Sequence, residues 1–135
     1  MDLYLLFRLG VIALFVVVFA EASLSKLVAR ETPGWFVDQF KDTWLGRGPL
    51  PLMWWSIAIA ELVVAGLFVA AVVQGEYGGG DVQWMSLGCL GASALFTGLC
   101  FGQRVALDFA GAANSFYYSA FSLGLFVAVQ ATATL

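Results

Sequence analysis

Histidine is absent from the 135-residue chain. That removes His-ligated haem, His-ligated zinc, non-haem iron triads and every Ser/His or Cys/His nucleophile arrangement from within it. Charge is scarce too, with Asp, Glu, Lys and Arg at 11% of residues, against roughly 25% in soluble domains. Six basic residues face nine acidic ones, for a net charge of −3, the wrong sign for a nucleic-acid footprint. The two cysteines, Cys89 and Cys100, form no C-x-x-C pair. On one helix they would stand about 16 Å apart along the axis, beyond the reach of a disulfide, and they read as free apolar thiols.

What fills the chain instead is apolar: 61% of residues are hydrophobic and the mean hydropathy is +0.91. A water-soluble globular enzyme is excluded on those grounds. A bilayer core of about 30 Å asks for roughly 20 mostly apolar helical residues, and such windows lie at about 3–27, 52–73, 83–105 and 110–133. The pattern predicts an all-α polytopic membrane protein, a single domain over 1–135 built as a bundle of four transmembrane helices. The first window follows Met1 without a basic stretch and exceeds the roughly 7–15 apolar residues of a signal peptide, so it is predicted to be retained. Gly75 to Asp81, GEYGGGD, is turn chemistry that ends the second span.

The connection Val28 to Pro51 is predicted to carry a short interfacial helix over about 33–45, opened by Thr32 as cap and Pro33 as first helical residue. Trp35, Phe36, Phe40 and Trp44 recur at helical spacing while Asp38, Lys41 and Asp42 fall elsewhere on the wheel, which suits the headgroup zone. The run from Gly46 to Pro51 then breaks the helix. Trp54 and Trp55 extend an aromatic belt on that side; Tyr4, Tyr77 and Trp84 mark the other. Gly91, Ala94, Gly98 and Gly102, and Gly111, Ser115, Ser119 and Ser122, form narrow faces that let helices approach closely.

Ionisable residues at membrane depth are costly and mark candidate sites. Glu61 is the sharpest, near the middle of the second span. It reads either as a ligand-facing or proton-relaying carboxyl, or as an interhelical hydrogen bond that fixes packing. Glu21, Lys26, Arg104 and Asp108 belong to the same leaflet, and with Glu61 they would form a polar cluster opening toward the interfacial helix. The competing reading has Lys26 snorkelling and Arg104 with Asp108 as a local i, i+4 surface pair. Arg8, Phe15, Phe19, Ala22 and Lys26 form one stripe of the first helix, which should face protein, with Arg8 either buried or reaching the headgroups. Asn114, Ser115, Tyr117 and Tyr118 offer polar groups at the start of the fourth span.

Arg8, Phe15, Phe19, Lys26 and Leu27 in RLGVIALFVVVFAEASLSKL, followed by Glu61 and Gly66 in PLMWWSIAIAELVVAGLFVA, resemble the DoxX family of small four-span bacterial membrane proteins. The likeness covers about the first half of the chain, and a Gly usual before the Ser-Lys segment is replaced by Ala22 or Ser23. The resemblance implies a four-helix bundle in the bacterial cytoplasmic (inner) membrane, linked in some members to quinone-dependent oxidation or to redox-stress assemblies. A related redox-associated branch carries paired cysteines, which this chain lacks.

Two functions follow as expectations. In the first, the chain is a subunit of a quinone-linked or redox-associated complex and offers a quinone- or lipid-sized pocket around Glu61, with Lys26 or Arg104 at the polar head. Redox cofactors then sit on a partner subunit or are the quinone itself, since the chain lacks a ligand set for a metal centre. In the second it is a structural accessory subunit docking a larger membrane complex. A small proton or solute transporter is the third and weaker alternative, because only one carboxyl lies at mid-depth and the halves show no repeat of broken helices.

Lys26, Arg30, Lys41, Arg47 and Arg104 gather on the side of the first and third connections, with Arg8 alone toward the other. The positive-inside bias therefore predicts both termini outside the cytoplasm. A reporter active only in the cytoplasm, fused after Leu135, is expected to stay silent; activity would reverse the orientation.

Overall fold

The computed structural model describes residues 2–134. Five helices follow in order: α1 (Leu3–Ala29), α2 (Gly34–Phe40), α3 (Leu50–Val73), α4 (Gln83–Val105) and α5 (Phe109–Thr134). Four of them, α1, α3, α4 and α5, are long and apolar enough to cross a membrane. The chain is thus a multi-pass helical bundle, with α2 lying in the longest connection. α1 pairs with α3 and α4 with α5, α3 packing on α4 joins the two hairpins, and α1 meets α5 only sparsely.

Each long helix buries one stripe and turns the rest outward. On α1 the inward stripe is Arg8, Val11, Ile12, Phe15, Phe19 and Ser23, stepping by three or four as one helix face must. Ala22 and Lys26 continue it half-buried. The outward faces carry Val17, Ile59, Val63 and Val127, apolar groups that water would reject and acyl chains accept. The core is aromatic at its centre: Phe15 stacks on Phe68 at 4.8 Å between ring centroids, and Phe19 meets Phe96 at 5.5 Å. Gly88 makes room for Phe68, since a Cβ there would stand 2.6 Å from the ring.

α5 buries almost no apolar bulk. Its inward residues are Ala112, Ser115, Ser119, Ser122 and Val129, and polar links hold it to α4. Ser93 and Ser119 hydroxyls are 2.9 Å apart, with Thr97 3.0 Å from Ser119. The Gln130 amide donates to Ser86 Oγ at 2.7 Å. In lipid such bonds are worth on the order of 1 kcal/mol each, and small residues let the backbones close in to make them.

The connection departs from the predicted 33–45 helix. α2 stops at Phe40 and a separate 3₁₀ turn runs Trp44–Arg47. Thr43 causes the break: its hydroxyl donates to the Phe40 carbonyl at 2.8 Å and accepts from the Gly46 N–H at 3.3 Å. Gly46 is packed so closely on the Phe40 carbonyl that a Cβ would collide with it. Pro33 is the cap of α2 rather than its first residue, and Leu50 and Pro51 already belong to α3.

The glycine-rich turn holds a buried acid that the sequence reading left unremarked. Glu76 sits in a 3₁₀ turn, Glu76–Gly78. Its carboxylate accepts from the N–H groups of Trp84 at 2.8 Å and Met85 at 2.9 Å, capping the first turn of α4. Charge-assisted hydrogen bonds of this kind contribute about 2 kcal/mol. Glu76→Ala is expected to lower unfolding stability in detergent by about that amount, with Glu76→Gln costing less. Equal stability of Glu76→Ala and the parent protein would remove the capping role.

Candidate functional site

The site is set by where helical side chains lean. A side chain on an α-helix tilts toward that helix's N-terminus. Lys26, near the C-terminal end of α1, therefore reaches inward, and Glu61 of the antiparallel α3 leans back toward it. Lys26 Nζ stands 3.1 and 3.0 Å from the two Glu61 oxygens and donates also to the Ala22 carbonyl at 3.3 Å. The two helices are pinned beside this pair by Ser23 Oγ donating to the Ala58 carbonyl at 3.0 Å. The Glu61 and Lys26 side chains keep 7% and 17% of their surface exposed, so the pair forms part of a wall rather than being sealed in the core.

That wall belongs to a cavity of about 650 Å³ between α2, α3 and α4. One side is aromatic. Phe36 lies 5.1 Å from Phe40 and 5.0 Å from Trp54, and Trp35 meets Trp54 edge-on at 5.6 Å. The opposite side is α4, where Ala94, Gly98 and Gly102 leave space. Lys26 bridges the polar and aromatic parts, its ammonium 5.3 Å from the centre of the Trp54 ring. The Trp54 indole N–H is buried and finds no acceptor among the described residues. Gln103 lines the cavity and, with its amide oriented to suit its neighbours, donates to Ser115 Oγ at 2.6 Å and to the Gly111 carbonyl at 2.9 Å.

Of the six residues singled out in the sequence, the structure joins Lys26 and Glu61 and disperses the others. Glu21 is exposed on α1. Arg104 is exposed, its guanidinium over the Phe109 ring at 5.4 Å. Asp108 accepts the Gly111 N–H at 3.0 Å and so caps α5. Neither the five-member polar cluster nor the Arg104–Asp108 surface pair forms: among the described residues the ion pairs are Lys26–Glu61 and an exposed Lys41–Asp38. Arg8 is buried at the opposite end of the bundle. Asn114, Tyr117 and Tyr118 face outward, and Ser115 serves Gln103. Both cysteines are free, and no group of three metal-ligating side chains occurs among the described residues.

Trp54 is the site residue the sequence reading missed. The sequence places it in the interfacial belt, and the signal that marks it is its position seven residues, two helical turns, before Glu61 on the same face. Family models, curated proteins and solved structures give no match to this chain.

Removing one partner of a buried ion pair strands the other charge and costs about 3 kcal/mol, whereas removing both is far milder. Lys26→Met and Glu61→Leu are each expected to lower stability strongly, with the double variant recovering most of the loss. Additive losses in the double variant would show that the two side chains act independently.

Proposed function

We propose that the chain is a DoxX-like integral subunit of a quinone-linked or redox-associated complex in the bacterial cytoplasmic membrane. In this reading the cavity beside Glu61 takes a quinone-sized amphiphile. The observation that carries it is the placement of the Lys26–Glu61 pair on the wall of an aromatic-lined cavity of about 650 Å³. That volume lies within the roughly 300–1,000 Å³ of ligand pockets, which combine apolar walls with a few placed polar groups.

The chemistry of those groups supports the fit. An ionised Glu61 is an acceptor only, and its one hydrogen-bonding partner among the described residues is Lys26, so its oxygens retain lone pairs for a ligand hydroxyl. Trp54 lines the cavity with its ring, which offers a flat apolar face to a ligand, while its indole N–H lies buried beneath that surface. A quinone and its reduced form present carbonyl and hydroxyl on a flat ring, which the rings of Phe36, Phe40 and Trp54 would flank. A bound quinone would supply two-electron transfer. The chain would bind it, orient it and hold a proton-accepting oxygen beside it, with electrons entering from a partner subunit. Both termini lie outside the cytoplasm in this reading, because the basic residues cluster at the cavity end of the bundle.

Quinone titration of the protein in liposomes, followed by quenching of tryptophan fluorescence, is expected to saturate. Glu61→Gln should weaken binding about tenfold, the effect of about 1.4 kcal/mol, and Trp54→Phe should weaken it less. Absence of saturable binding, with a large partner co-purifying, would overturn the proposal in favour of a purely structural subunit. Proton flux through the purified chain would instead favour a transporter.

A further inference from the structure

A second cavity, of about 240 Å³, lies at the opposite end of the bundle, where α1 begins and α5 ends. Its lining includes Arg8, Tyr4, Tyr77, Gly80, Thr132 and Asp2. Arg8 is 2% exposed. It donates from Nε to Thr132 Oγ1 at 3.0 Å and from one terminal nitrogen, Nη1, to the Glu76 carbonyl at 2.6 Å. The other terminal nitrogen, Nη2, makes no hydrogen bond, and no carboxylate lies within 4.0 Å of the guanidinium, among the described residues. The nearby Glu76 carboxylate is committed to the N-terminus of α4.

We propose that Arg8 and this cavity bind the phosphodiester of a membrane phospholipid. A guanidinium is always charged, and a charge held out of water requires an opposite one. Its planar fork matches phosphate oxygens, and the unused Nη2 is the part of the fork still open to them. Depth agrees: Arg8 lies five residues into α1, about 8 Å along the axis, at the level where Tyr4 and Tyr77 mark the interface. The volume suits a headgroup rather than a whole lipid, and the exposed Leu3 and Leu6 on α1 give the acyl chains an apolar track outside it. Asp2 on the lining, which already accepts the Tyr4 N–H at 3.0 Å, would face the ammonium of an ethanolamine headgroup. This site is independent of the quinone reading, since none of its residues lines the first cavity.

The test is native mass spectrometry of the protein released from nanodiscs of phosphatidylethanolamine and phosphatidylglycerol. The parent protein is expected to retain one phospholipid, and millimolar inorganic phosphate is expected not to displace it. Arg8→Gln should reduce retention at least tenfold. Ala133→Trp should do the same by filling the cavity from an exposed position on α5 while leaving both Arg8 hydrogen bonds in place. Quinone titration of Ala133→Trp should match the parent. Undiminished lipid retention by Ala133→Trp would overturn the proposal. Displacement of the lipid by inorganic phosphate would also overturn it, assigning the cavity to a soluble oxyanion. Should Arg8→Gln fail to fold, the parent competition and Ala133→Trp still decide the matter.

Discussion

Everything at the cavity end of the bundle depends on a single contact, the ammonium of Lys26 against the carboxylate of Glu61. A lone carboxylate at the middle of a membrane helix is costly, and so is a lone ammonium. Meeting, they offset part of both penalties and fix the register of α1 against α3, which Ser23 and Ala58 then lock. Because Lys26 also lies over Trp54, the contact sets where the aromatic wall stands. Ion pair, helix register and cavity shape are therefore one arrangement.

The rest of the bundle divides its adhesive chemistry unevenly. Between α1, α3 and the first half of α4, aromatic rings interlock, with Phe15, Phe19, Phe68 and Phe96 in sequence and Gly88 cut back to admit Phe68. Between α4 and α5, small residues bring backbones close and hydroxyls bridge them. Neither half uses polar groups wastefully: among the described residues, Trp54 Nε1 is the one fully buried side-chain donor or acceptor without a partner.

The four spans could be read from the sequence because hydropathy over some twenty residues is a long, redundant signal, and α4 matches its window from Gln83 to Val105. Lys26 and Glu61 were legible because charge at that depth has few uses. Their pairing with each other, rather than with Arg104 or Asp108, depended on helix packing that residue spacing does not encode. The division after α2 was hidden because it rests on one hydroxyl, Thr43, competing with the helix for the Phe40 carbonyl and the Gly46 N–H, which the spacing of apolar residues does not announce. Leu107, a non-glycine residue at φ 61°, closes the α4–α5 turn with no glycine to announce it. Glu76 escaped notice because an acid among glycines looks solvated, and its partners are N–H groups of a helix eight residues further on.

The bond from Arg8 to Thr132 spans a sequence separation of 124 residues, while the main interhelical surfaces join helices that are close in the chain. Local surfaces form early and distant ones late, since loop closure must precede any gain from a remote contact. During synthesis the leading hairpin, α1 with α3, can therefore settle in the bilayer before the trailing one leaves the ribosome. The Arg8 clasp can close only once the final turn of α5 has been made, so a chain truncated before Thr132 would insert its helices and yet leave that arginine without its clasp.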